Sequence, residues 1–206
     1  MKEFGARFGS SRTADQTDLA YFWADNFIAQ WHRTLRAIAE ARVTHLGDSA
    51  RLFALASLAP ADAAITAWEC KFHVNFWRPI TAIREGDNDG NADTEGDPGW
   101  EPLINTPNYP DYTFGANNLT GAVTTILQSF FGTDNFEFTI TSNNALVVDN
   151  SRGYTRFSQA AEEVVDARIL QGIHFRFADD EARVQGSHVA HWVFQRFLRP
   201  QMPRRR

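Results

Sequence analysis

Large apolar residues recur every three to four positions along most of this chain. Between Leu19 and Ile38, Phe, Trp and Leu alternate with polar residues, a spacing that predicts an amphipathic helix. Pro60 stands between two further segments of this kind, and because proline favours the first turn of a helix, we expect a new helix to begin there. The predicted helices cover residues 17–43, 49–58, 61–77, 117–131, 154–170 and 179–198.

Two segments do not follow helical spacing. Residues 85–113 are rich in Gly, Asp, Asn and Pro, which predicts a long loop. Loops of this length in compact domains usually carry function. Residues 135–141 alternate apolar and polar side chains, which predicts a strand, and we expect residues 145–148 to pair with it. The predicted fold class is therefore all-α, a helical bundle with at most a minor β-hairpin.

Length and composition favour one well-cored domain, because 206 residues leave room for only a small second one. We place this domain at residues 15–198, between a poorly ordered segment 1–14 and a basic tail 199–206. The net charge of −5 argues against nucleic-acid binding, which needs a basic surface.

No membrane span is predicted, since charged residues or His interrupt the longest apolar runs. Residues 1–20 also lack the apolar segment of a secretory signal. The single cysteine, Cys70, excludes an internal disulfide and leaves the redox compartment open.

Three cations occupy positions where the helical spacing favours apolar residues. Lys71 and Arg78 share one helix face, and Arg168 lies on the apolar stripe of the segment 154–170. No carboxylate stands three or four residues from Lys71 or Arg78. Buried cations need partners, because an unpaired charge is costly to desolvate. Two explanations stay open: a shared bound anion, or a distant carboxylate or contact with water for each cation.

Two breaks between helices add further candidates. Gly115 stands at a predicted helix N-terminus, where backbone N–H groups and the helix dipole favour an anion. His174 lies in a break between two helices, and such irregular segments often carry functional sites.

Two of these regions resemble the motifs of one enzyme superfamily. The segment 71–79, KFHVNFWRP, resembles the Lys-x6-Arg-Pro motif of vanadium-dependent haloperoxidases and type 2 phosphatidic-acid phosphatases. The segment 168–174 resembles the Arg-x5-His motif of the same superfamily, and its surroundings are similar to the bacterial haloperoxidase-like branch. The resemblance implies a helical bundle in which Lys71, Arg78 and Arg168 hold the oxygens of vanadate or phosphate. It implies that His174 coordinates vanadium, or attacks phosphorus in the phosphatases.

A third motif departs from the family pattern. The family has Pro-Ser-Gly-His where this chain has residues 113–116, TFGA. Gly115 is retained and still offers its N–H to the oxyanion, but Phe114 replaces the hydrogen-bonding Ser and Ala116 replaces the acid/base His. A positioned acid/base group typically contributes ~10²–10⁴-fold to a rate, so we expect weak turnover.

Three functions follow from the resemblance. The first is a haloperoxidase-like protein that binds vanadate and oxidises halide with peroxide. The second is an acid phosphatase-type phosphomonoester hydrolase with His174 as nucleophile, and the third is a non-catalytic oxyanion-binding helical protein. The implied partners are peroxide, halide or phosphoester, and a homo-oligomer is left open. Relatives often carry further helices and are often exported, so we leave open whether the chain is a compact member or part of a longer one, and whether it is periplasmic or extracellular.

Overall fold

The computed structural model describes residues 1–199, and most of them are helical. The elements are α1 (Lys2–Gly5), α2 (Ala14–Phe22), α3 (Phe27–Arg42), α4 (Leu46–Val74), α5 (Pro79–Arg84), a 3₁₀ turn (Gly86–Asn88), α6 (Gly115–Phe131), β1 (Asn135–Thr141), β2 (Ser151–Arg156), α7 (Phe157–Gln171) and α8 (Arg176–Arg196). The predicted all-α fold class with a minor hairpin is confirmed. Of the predicted basic tail, all but Arg199 lies outside the described residues.

Helix α6 is the centre of the bundle. It packs against α4, α7 and α8, and most of its residues are buried as a result. Glycines permit the closest of these approaches: a Cβ at Gly121 would overlap the backbone of Arg183, and one at Gly186 would overlap the backbone of Asn118. This tight contact between α6 and α8 positions the two helix N-termini next to the long loop.

The predicted helix break at Pro60 is wrong, since α4 runs without interruption across this residue. A proline inside a helix removes one backbone hydrogen bond and strains the preceding turn. The helix nevertheless continues because one of its faces, which includes Leu52, Leu55, Ala59 and Ala63, is buried in the core. Burial of this face outweighs the missing hydrogen bond.

The helix predicted over 17–43 is two helices. Helix α2 ends at Phe22, and α3 begins at Phe27 behind Asn26, whose side chain accepts a hydrogen bond from the N–H of Ala29 at 3.0 Å. This is a typical N-cap, and it satisfies one of the N–H groups that a new helix leaves without a partner. Trp23, between the two helices, remains buried in the core.

Strand β1 has the predicted position, but the predicted partner at 145–148 is wrong. Its antiparallel partner is β2, and Phe138 faces Tyr154 with ring centroids 5.3 Å apart. Residues between the strands form a turn instead, held by side chains: the N–H of Leu146 donates to Asn144 Oδ1 at 3.0 Å. The following helix accordingly begins at Phe157, three residues after the predicted start.

The N-terminal segment, for which we expect poor order, lies against the long loop. The N–H of Arg7 donates to the carbonyl of Glu101 at 2.8 Å, and the N–H of Leu103 donates to the carbonyl of Gly5 at 2.9 Å.

One helical stretch, Leu46–Arg84, is long and apolar enough to cross a membrane by length and composition. Core helices of bundles pass the same test, and α4 within this stretch packs against α6 and α8. The stretch is therefore only weak evidence for a membrane span.

Candidate oxyanion-binding site

The predicted site residues lie around the side chain of Phe114. Lys71 comes from the last turn of α4, Arg168 from the last turn of α7, and His174 from the short connection between α7 and α8. The rings of Phe114 and His174 have centroids 3.6 Å apart. The Phe114 ring centroid is 4.8 Å from Arg168 Cζ and 5.7 Å from Lys71 Nζ. All of these side chains are buried.

Lys71 has backbone carbonyls as its hydrogen-bond partners. Its Nζ donates to the carbonyls of Pro110 at 2.9 Å and Asp111 at 2.7 Å, both in the long loop. Burial, and then repulsion by Arg78, lowers the pKa of Lys71 to about 8. The last turn of α4 therefore anchors the loop through a cation that loses its charge at moderately alkaline pH.

Arg78 is the residue before α5, and two of its three guanidinium nitrogens donate hydrogen bonds. Its Nε donates to the carbonyl of Tyr109 at 2.8 Å, and its Nη1 donates to the carbonyl of Ile173 at 2.8 Å. The buried Nη2 has no hydrogen-bond partner among the described residues. A buried donor without a partner is costly, and an ion or water commonly accounts for it.

Arg168 has a similar arrangement. Its Nη1 donates to Gln171 Oε1 at 2.6 Å, while its buried Nε has no partner within residues 1–199. The guanidinium packs on Phe27, with Cζ 4.6 Å from the ring centroid. Desolvation by burial lowers the pKa of Arg168 to about 10, so it stays charged at neutral pH.

His174 is fully buried between a carboxylate and a guanidinium. Its Nδ1 contacts Asp111 Oδ1, and its Nε2 lies 3.0 Å from Arg78 Nη1. Burial and the nearby Arg78 and Arg168 charges hold the pKa of His174 well below its ordinary value, so the imidazole is neutral. The carboxylate favours the proton on Nδ1, which leaves the Nε2 lone pair facing the cations.

Two carboxylates in this site were missed by the sequence interpretation. Asp111 lies in the long loop, and its Oδ2 accepts the N–H of Phe175 at 3.2 Å, while its Oδ1 lies 3.6 Å from Arg78 Nη1. Burial raises the pKa of Asp111 to about 6. Asp179 is fully buried in the first turn of α8, and burial and then Asp111 raise its pKa well above the ordinary value.

The distant-carboxylate explanation for the buried cations therefore holds in part. Arg78 does find Asp111, and Asp179 attracts Arg168 electrostatically. Nothing in the local sequence distinguishes Asp111 from the other acidic residues of the loop, and Asp179 has the pattern of an ordinary first-turn acid. Three cations face two carboxylates whose pKa values are both raised, so the site has an excess of positive charge.

Gly115 begins α6, directly beside these side chains. A Cβ at this position would overlap the Trp68 ring, so only glycine permits the observed packing. Phe114 at the N-cap has no side-chain acceptor for the N–H groups of the first turn. The helix therefore presents unpaired donors and the positive end of its dipole to the site.

A cavity of about 440 Å³ reaches this site from outside, lined by Phe114, Gly115, Ala116 and Arg168 among others. Of the predicted site cations and His174, only Arg168 lines this cavity, and the Phe114 ring in its wall packs against His174. The donor set, with unpaired nitrogens on Arg78 and Arg168, fits an oxyanion such as vanadate or phosphate.

Comparison with known proteins identifies relatives of this arrangement. Residues 51–201 match the family described as the VCPO second helical-bundle domain. A vanadium chloroperoxidase from Curvularia inaequalis is 37% identical over 94 residues, which are 41% of this chain and 15% of that protein.

Two solved structures are also similar. A bacterial vanadium-dependent iodoperoxidase has a TM-score of 0.74 and 28% identity, over 88% of this chain and 44% of that one. A bacterial vanadium-dependent chloroperoxidase in its holo form has a TM-score of 0.74 and 17% identity, over 95% of this chain and 46% of that one, which supports the fold alone. The chain thus spans less than half the length of these relatives.

Proposed function

This chain belongs to the VCPO second helical-bundle domain family, as the motif resemblance predicts, and from that premise we propose that it binds vanadate and oxidises halide with peroxide. The vanadium chloroperoxidase and iodoperoxidase relatives are named for this chemistry. The observation that carries the proposal is the pair of unpaired, buried guanidinium nitrogens, Arg78 Nη2 and Arg168 Nε, in a site with excess positive charge.

The three cations would hold the oxyanion. Charged donors make short, strong hydrogen bonds to oxyanions, and Arg78 and Arg168 each offer a nitrogen that has no other partner in the described chain. Lys71 adds a third charge at pH values below about 8. Bound vanadate would supply a Lewis-acid centre that activates peroxide.

His174 would be the ligand to vanadium. Asp111 holds its Nδ1 side, and the neutral ring keeps a lone pair on Nε2 for coordination. In the present arrangement this lone pair faces Arg78 Nη1 and the Phe114 ring covers the imidazole. Binding therefore requires Phe114 to turn toward the cavity that it lines.

A second candidate function is oxyanion binding without turnover. Phe114 is packed against His174, and Ala116 offers no proton donor or acceptor at the position of the family's acid/base residue. The same donors would bind phosphate, and His174 could then attack phosphorus, but Ala116 itself offers no proton to the leaving group. We rank phosphomonoester hydrolysis below the other two functions for this reason.

Thermal unfolding with and without oxyanion, combined with activity assays, tests the proposal. Vanadate and phosphate should each raise the Tm saturably in the wild type. Arg168→Met should abolish this gain, whereas Arg176→Met, which removes an exposed arginine paired with Asp166, should retain it. Peroxide-dependent bromination of a phenolic indicator then separates the peroxidase from the binding-only function. A Tm indifferent to both anions would contradict both.

A further inference from the structure

A second cavity, of about 380 Å³, lies between α3 and α4 and adjoins the candidate oxyanion site. Its walls include the core side chains Trp31 and Leu35 of α3, and Ala56, Pro60 and Ala64 of α4. Trp31 and Leu35 are almost completely buried, so this wall is fixed by core packing rather than by mobile surface groups. Its volume falls in the range of ~300–1,000 Å³ that is usual for small-molecule sites.

The two cavities share part of their walls. Phe27, Ile28, Trp68 and Leu119 line both of them. Phe27 makes the connection most directly, because its ring packs against the Arg168 guanidinium and also lines the apolar cavity. A molecule in the apolar cavity would therefore lie beside the groups that would hold the oxyanion.

The composition of the apolar cavity selects a neutral ligand. Of the lining residues within the described chain, none is Asp, Glu, Lys or Arg, and His32 and Ser57 are the polar ones. The Ser57 hydroxyl already donates to the carbonyl of Phe53 at 2.8 Å, and the indole N–H of Trp31 donates to Thr120 at 3.2 Å. A charged ligand would lose its hydration without gaining a partner here.

The helical proline leaves one backbone carbonyl of α4 without its usual donor, and this is the reason to expect a ligand that carries a donor. Pro60 has no N–H, so the carbonyl of Ala56 loses the helical hydrogen bond that residue 60 would otherwise give it. Both residues line the cavity. The ring systems of Phe27, Trp31 and Trp68 favour stacking and edge contacts with a second aromatic ring.

We propose that the cavity between α3 and α4 binds a neutral aromatic molecule that carries an N–H or O–H donor, as the organic substrate of the oxyanion site. This inference rests on the proposed function for its chemical role. In that role, peroxide oxidises halide to a hypohalous acid, whose halogen forms a bond to a ring carbon. The bond between halogen and oxygen breaks, and the ring proton leaves with the hydroxide as water.

Binding of indole tests the site without requiring any activity. We expect saturable binding of indole to the wild-type chain, measured by calorimetry in the absence of vanadate. Ala64→Leu, which fills the cavity, should weaken binding about tenfold or more. Ala54→Leu, at a half-buried alanine of the same helix outside the cavity wall, should leave the affinity unchanged.

Comparison ligands test the chemical class. 1-Methylindole, which lacks the N–H donor, should bind more weakly than indole, and hexanol should bind more weakly than either. The assignment would be overturned if indole did not bind saturably, or if it bound wild type and Ala64→Leu with equal affinity. Tighter binding of hexanol or 1-methylindole than of indole would also overturn it. The vanadate-induced change in Tm should be the same in wild type and Ala64→Leu, so loss of the cavity site and failure of the proposed function are distinguishable.

Discussion

Replacing Phe114 by Ala should open the oxyanion site at a cost in stability that an anion restores. A buried Phe→Ala change usually costs ~3–5 kcal/mol. Phe114 is 5% exposed but is surrounded by charged side chains, which water can solvate once the ring is gone, so we expect about 3 kcal/mol. For a domain of this size that corresponds to a fall in Tm of about 6–12 °C.

Vanadate should reverse most of this loss. A ligand at 100 times its Kd contributes ~2.7 kcal/mol to the folded state, or about 5–11 °C in Tm. The wild type should gain less at the same vanadate concentration, because part of the binding free energy is spent on moving the Phe114 ring away from His174. Differential scanning fluorimetry gives the stabilities, and calorimetric titration gives the Kd of each variant.

Phe138→Ala is the matched control. Phe138 is a buried phenylalanine of β1 that packs against Tyr154 and Phe157 and is not part of the site. The Phe138→Ala variant should lose a similar amount of stability. Its increase in Tm on adding vanadate should equal that of the wild type. If the wild type binds vanadate as tightly as Phe114→Ala, the ring does not block the site and the reasoning is refuted.

Three further predictions concern the chemistry of the site. Combining Phe114→Ser with Ala116→His should raise the kcat of halide oxidation ~10-fold or more, and Ala116→His alone should raise it less. Equal kcat values for wild type and double mutant would show that this loop is not part of the site. Burial lowers the pKa of Lys71 to about 8, so the affinity of the site for sulfate should fall as the pH rises above about 8. Sulfate is the suitable probe because its charge is constant over this pH range. Lys71→Arg should abolish that decline, and a decline that persists in this variant would point to another group. His174→Ala should lose retention of vanadium while still binding phosphate through the cations, and a variant that retains vanadium as the wild type does would exclude His174 as the ligand.

Helical periodicity predicted the bundle because most helices here bury one face against the core. It failed at Pro60, where packing of α4 against α6 and α8 outweighs a local helix-breaking signal. The strand predicted at residues 145–148 is also wrong, because these apolar residues belong to a turn held by Asn144 and Asp18. Both errors arise where tertiary contacts override a local preference.

Lys71 and Arg168 were recognisable because a charge on an apolar helix face is unusual whatever the fold. The prediction that Arg78 shares a helix face with Lys71 is wrong, since α4 ends at Val74 and Arg78 precedes α5. The partners of these cations could not be predicted from the sequence. Asp111 and Lys71 are forty positions apart and meet only when the long loop folds over α4. The orientation of the Phe114 side chain could not be predicted from the sequence either. Its placement against His174 depends on the packing of α6 and α7 around it.

The central claim is that buried cations without sufficient protein partners form an oxyanion site. Equilibrium dialysis against vanadate, followed by elemental analysis, measures this directly for the wild type, Arg168→Met and Arg176→Met. The account predicts about one vanadium per chain in the wild type and in Arg176→Met, displaced by phosphate, and a loss of bound vanadium in Arg168→Met. Equal vanadium in all three proteins, or none above the dialysis concentration, would contradict it.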